Sequence, residues 1–284
     1  MEHGPATGVV FSATLVAQRT EKGGLMTRTL LLALALSAVA VRAEIKTETV
    51  EYQQGGTALE GFLAYDDSAK GPRPGVLVVH DWMGNGPFSK EKALELAKLG
   101  YVGFAVDAYG KGVRPKDAKE AGEQAGKLKQ DRKLLRERMN AALDCLKTQK
   151  AVDVKRIAVI GYCFGGMAAL ELGRSGAGIV GIVSFHGSLD SPTPADGKNI
   201  KAKVLALHGA DDPHVNAQDV AAFEDEMRKG NVDWQLVKYG NAVHAFTNPA
   251  TGNDNSKGAA YNEKADRRSW QAMKDFFDEI LAVP

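Results

Sequence analysis

The chain is poor in cysteine, carries almost no net charge and has no long hydrophobic run. Only two cysteines, Cys145 and Cys163, occur in 284 residues. They allow one disulfide at most, which excludes a disulfide-built scaffold. No C-x-x-C is present to support a thiol–disulfide oxidoreductase. The formal charge of +1 gives no reason to expect nucleic-acid or anionic-membrane partners. The apolar run Leu30–Val41 is too short to cross a bilayer. The six histidines form no H-x-x-x-H or H-E-x-x-H pair, and no metal or other cofactor is expected. What remains is ordinary globular composition, 44% hydrophobic and 25% charged, enough for one large α/β domain or two small ones.

Residues Met26–Ala43, "MTRTLLLALALSAVAVRA", have a basic start, an apolar stretch and a small-residue end. That pattern is a secretory signal peptide with cleavage after Ala43. Residues 1–25 resemble neither a domain nor a signal, so translation is expected to start at Met26. An uncleaved anchor is the alternative. The expected product is periplasmic or secreted, without a stable membrane anchor, and monomeric. No linker or repeat divides residues 44–284, which read as one domain.

Apolar runs bounded by turn residues recur at 75–80, 101–106, 156–160, 179–185, 203–208 and 234–239. Between several of them lie amphipathic patterns at 89–99, 131–149, 217–229 and 264–281. Continuous apolar strands alternating with such helices imply a mostly parallel sheet covered on both faces. The alternating stretches 45–53 and 59–66, joined through Gly55-Gly56, read as an antiparallel hairpin at the sheet edge.

One junction stands out. "RIAVI" stops at "GYCFGG" (161–166), and helix formers follow. G-x-C-x-G matches the nucleophile elbow G-x-S-x-G with sulfur in place of oxygen. The apex residue takes a strained conformation that lifts its side chain clear of the sheet. Gly161 and Gly165 keep Cβ atoms out of the turn, and Gly166 lets the helix approach the strand. The helix N-terminus offers free N–H groups to a thiolate or a developing oxyanion. A buried structural cysteine in a glycine-rich turn is the plain alternative.

A thiol nucleophile needs a base, and the base an orienting acid. The chain order nucleophile, acid, histidine points to Asp212 in "GADDPHV" and His244 in "NAVHAF", both in loops after strands. Asp211 is the competing acid; His80, His186, His208 and His214 are competing histidines. After the first long strand, "HDWMGNG" supplies the Trp82 N–H as an oxyanion donor beside that of Phe164. Cys145, beside the apolar stripe of a helix, reads as a packing residue.

"HDWMG", "GYCFGG", "GADDPHV" and "VHAF", in that order, resemble the dienelactone hydrolase family of α/β-hydrolases, over about residues 48 to 281. The resemblance implies a single-domain α/β-hydrolase fold and a Cys163–Asp212–His244 triad acting on a small ester or lactone. It also implies an acidic residue in the first loop that keeps the resting thiol protonated; Asp81 falls there. Better-known members place a carboxylate-binding arginine four residues after the histidine. Here that position is Asn248, so a dicarboxylate-type substrate does not carry over. Lys111 or Arg114 could supply a cation instead. A broad carboxylesterase or thioesterase, a redox-active thiol and a non-catalytic binding module are the rival readings.

Overall fold

The computed structural model describes residues 44–282; the expected signal Met26–Ala43 and residues 1–25 lie outside the described residues. Strands β1 (Ile45–Gln54) and β2 (Thr57–Asp66) pair antiparallel from Ile45↔Asp66 to Gln54↔Thr57. Gly55 turns the chain at φ +55°, a left-handed conformation that glycine adopts freely. Six strands follow: β3 (Arg73–Val79), β4 (Val102–Val106), β5 (Val152–Tyr162), β6 (Gly181–Phe185), β7 (Lys203–Gly209) and β8 (Trp234–Tyr239). The sheet order is β1-β2-β4-β3-β5-β6-β7-β8. β2 also pairs antiparallel with β4, and every later pairing is parallel.

Parallel strands need crossovers, and α-helices supply all but the one from β6 to β7, which runs through the 3-10 helix Pro194–Asn199. The α-helices are α1 (Pro87–Lys98), α2 (Ala118–Gln130), α3 (Arg132–Lys147), α4 (Phe164–Arg174) and α5 (Ala217–Lys229), with α6 (Glu263–Ile280) closing the chain. Along β3, Leu77 and Val79 join the core layer beneath α3, α4 and α5, while Val76 and Val78 join the layer beneath α1 and α6. Both faces are therefore apolar, which is why the strands read as unbroken runs rather than alternations. β3 has β4 on one side and β5 on the other, so the crossovers diverge there. The crevice at the carboxyl ends of β3 and β5 is the topological switch point where such sheets bind ligands.

The apolar pattern does not announce α2. Its buried residues are only Ala121, Ala125 and Leu128, and two glycines sit inside it. Local capping starts it: Asp117 accepts the Glu120 N–H at 2.9 Å. Asp131 then separates it from α3, capping the latter through the Leu134 N–H at 2.9 Å.

Candidate active site

Cys163 lies between β5 and α4 with φ +56° and ψ −115°, outside the regions that side-chain-bearing residues favour. The neighbouring glycines make the turn possible. A Cβ on Gly161 would lie 1.9 Å from the Gly165 carbonyl oxygen, and one on Gly165 2.3 Å from that of Val79. A Cβ on Gly166 would lie 2.4 Å from Ser184 Oγ. None of these distances is compatible with a side chain at an unmoved backbone.

Two loops bring the partners. Asp212, buried, follows β7, and its Oδ1 accepts the His214 N–H at 2.8 Å. Its Oδ2 lies 2.8 Å from His244 Nδ1, and His244 Nε2 lies 3.0 Å from Cys163 Sγ. Asp211 is exposed and takes no part. The histidine loop after β8 is pinned by the His244 N–H to Gly258 O at 3.2 Å and the Ala260 N–H to His244 O at 3.0 Å. Burial opposes a charge on the His244 ring. The bonds to Asp212 and Cys163, and the charges of those groups, outweigh it and hold the pKa up at about 10.

Cys163, His244, Asp81, Trp82, Phe164 and Asn248 line one cleft of about 790 Å³. The backbone N–H groups of Trp82 and Phe164 have no backbone acceptor among the described residues. The Asp81 carboxylate accepts the Met83 N–H at 2.8 Å, closing a tight turn, and no hydrogen bond joins it to Cys163 among the described residues. Burial raises its pKa above the usual carboxylate range, while the Met83 bond and the charges of His80 and His244 pull the other way.

Asn248 both lines the cleft and caps a 3-10 turn, its Oδ1 accepting the Ala250 N–H at 3.0 Å. The cation expectation is corrected by the structure. Lys111 pairs with Glu51, and Arg114 Nη1 donates to the Val113 carbonyl at 2.8 Å, both away from the cleft. The loop after β4 turns toward the hairpin, taking both side chains with it. The lysines on the cleft are Lys129 of α2 and Lys257.

Gly122, Ala125, Gly126 and Lys129 form a stripe of α2 along the same wall. Their i, i+3, i+4, i+7 spacing was the available signal, although it resembles a weak core stripe. His80 faces inward, its Nε2 accepting the Ala108 N–H at 3.2 Å, and packs against Phe164 and Tyr109. Cys145 is half-buried against the core, and burial pushes its thiol up to about 11. Both cysteines are free.

A mostly parallel sheet with a cysteine elbow after β5, and an acid and a histidine after the next-to-last and last strands, defines an α/β-hydrolase fold. The family model "Dienelactone hydrolase family" matches residues 59–281. A Bradyrhizobium sp. protein named as a probable 2-oxo-3-(5-oxofuran-2-ylidene)propanoate lactonase is 30% identical over 70% of this chain and 86% of its own. A Yersinia pestis protein with the name "Putative carboxymethylenebutenolidase" is 26% identical over 81% of this chain and 87% of its own. The crystal structure of a dienelactone hydrolase-like promiscuous phosphotriesterase from metagenomic libraries superposes with a TM-score of 0.80. It is 40% identical, covering 85% of this chain and 100% of that one. The chain belongs to the dienelactone hydrolase family, and with it to the hydrolases of carboxylic esters and lactones.

Proposed function

We propose that Cys163, His244 and Asp212 are a catalytic triad hydrolysing small neutral esters or lactones through an acyl-thioester. The observation that carries this is the unbroken line Cys163 Sγ–His244–Asp212, with contacts of 3.0 Å and 2.8 Å, beginning at a strained elbow. The thiolate attacks the carbonyl carbon, and the Trp82 and Phe164 N–H groups hold the oxyanion. As the C–O bond breaks, the His244 imidazolium gives its proton to the departing alkoxide. A water then attacks the thioester and returns a proton to His244, releasing the carboxylic acid and the thiolate. Asp212 fixes the Nδ1–H tautomer and offsets the imidazolium charge. Asp81 is proposed to tune the thiol from the cleft wall, through its charge rather than a direct bond.

Sulfur is a good nucleophile and a good leaving group, so activated esters and lactones suit it better than amides. Asn248 supplies no guanidinium, and Lys129 and Lys257 on the cleft are solvent-exposed and so screened, which favours neutral substrates. The test is the catalytic efficiency of purified protein on p-nitrophenyl esters and on a matched lactone, with Cys163→Ala beside it. Turnover that vanishes in the variant supports the reading; turnover that survives overturns it. The 40% identical phosphotriesterase supports a second substrate class, neutral phosphotriesters, testable in the same assay. We further propose export through Met26–Ala43. N-terminal sequencing of the mature protein is expected to begin at Glu44, and an intact leader contradicts it.

A further inference from the structure

We propose that His186 is a positioning residue that, through a fixed Nε2–H tautomer, holds the nucleophile, acid and base segments in one register. The proposal rests on the catalytic reading of Cys163, His244 and Asp212 given above.

His186 follows β6 directly, is buried, and has φ +40°. Its backbone N–H donates to the Leu207 carbonyl at 2.8 Å, on the strand whose loop carries Asp212. Its ring Nδ1 accepts the backbone N–H of Cys163 at 3.2 Å, a hydrogen that also reaches the Phe185 carbonyl at 3.0 Å. Its Nε2 lies 2.8 Å from Oγ1 of Thr247, a buried residue three positions beyond His244. One side chain and its backbone therefore touch the segments that carry all three proposed triad members. The ring also stands edge-on to that of His244, centroids 5.3 Å apart at 66°.

The tautomer follows from the donors. Backbone N–H groups can only donate, so Nδ1 must present its lone pair to Cys163. The ring hydrogen is then on Nε2 and donates to Thr247 Oγ1. Burial holds the ring well below the usual histidine range, and the charge of His244 acts in the same direction, so the ring is neutral. A doubly protonated ring would place two N–H groups against each other at Cys163.

The strain gives the tie its purpose. Non-glycine residues at positive φ persist only where the surroundings over-determine them. Cys163 and His186 are both such residues, and the bond from the Cys163 N–H to the His186 ring joins them. The Thr247 bond carries the restraint on to the loop of the general base. Loss of that bond leaves each element folded but lets the sulfur-to-imidazole distance drift, an effect on chemistry rather than on substrate binding.

The test has two parts. In 15N-labelled wild-type protein at neutral pH, long-range 1H–15N correlation is expected to show His186 protonated at Nε2 and bare at Nδ1. In ester hydrolysis, Thr247→Val is expected to lower kcat about five- to twentyfold with KM within about twofold, and Thr247→Ser to restore it. His186→Asn, which tolerates a positive φ and keeps an acceptor near the Cys163 N–H but has no atom that reaches Thr247, is expected to lower kcat at least as far as Thr247→Val. An Nδ1–H tautomer overturns the proposal. So does a Thr247→Val protein that loses thermal stability while kcat holds. If Thr247→Val fails to fold, the wild-type tautomer decides. If no ester is turned over, the proposed function fails separately, and the tautomer still decides for or against His186.

Discussion

His244 is where charge, burial and chemistry meet in a single side chain. Its pKa is raised to about 10, so the folded state binds a proton that the unfolded chain releases near 6.5. The resulting stabilisation is complete below pH 6.5 and is lost as pH rises through 10. Wild type is therefore expected to exceed His244→Gln in unfolding free energy by the largest margin at pH 6, on the order of a few kcal/mol. That margin is expected to shrink steadily toward pH 10, as denaturant titrations at several pH values will show; a margin that grows with pH contradicts the assignment. Asn248 allows a second test at this scale. A guanidinium–carboxylate pair contributes on the order of 1.5–3 kcal/mol, about ten- to a hundredfold in affinity. Asn248→Arg is expected to raise kcat/KM for an anionic ester selectively over its neutral analogue. A wild-type preference for the anionic member of the pair would sink the neutral-substrate reading.

At the scale of elements, α2 trades helix stability for open space. Gly122 and Gly126 each cost a helix about 1 kcal/mol relative to alanine. A Cβ at either position meets nothing within 4 Å, so no packing demands the glycines. Gly126→Ala is expected to stabilise the protein by about 0.5–1 kcal/mol. Gly126→Leu, reaching further into the cleft, is expected to reduce hydrolysis of long-chain esters several-fold while leaving acetate esters near wild type; equal loss on both contradicts a steric role. The same helix shows what the sequence conceals. Hydrophobic periodicity reports packing against a core, and α2 turns much of its inner face to a cleft, so small residues replace the usual stripe. Strands β3 to β7 were legible because burial on both faces writes them as apolar runs, and the β1–β2 hairpin because its alternation is joined by two glycines. Gly161, Gly165 and Gly166 marked the elbow because the backbone contacts there exclude any side chain. The His186–Thr247 tie left no local mark, since the two residues lie 61 positions apart and meet only through the sheet. The excursion of Lys111 and Arg114 toward the hairpin likewise depends on tertiary pairing with β1 and β2.

For the molecule as a whole, the sheet gathers the loops after β3, β5, β6, β7 and β8 at its carboxyl edge, while charge pairing holds the helix that follows Cys163. Arg174, at the end of α4, is fully buried and bonds Glu171 at 3.0 Å and Glu226 of α5 at 2.6 Å. Glu171 is shared with Arg132 and Arg136 of α3, whereas Glu226 has no other ion-pair partner among the described residues. Arg174→Met is expected to strand Glu226 and cost about 3–5 kcal/mol in denaturant unfolding; a loss below 1 kcal/mol would show that the network can relax. This scaffold serves one central claim, that Cys163 is the nucleophile. The most direct measurement is rapid acid quenching of the enzyme during hydrolysis of a p-nitrophenyl ester, followed by peptide mass spectrometry. One acyl group on the peptide containing Cys163, formed in step with the p-nitrophenol burst and absent from Cys163→Ala, is the expected result. Turnover without an acyl group on Cys163, and undiminished in Cys163→Ala, would contradict it.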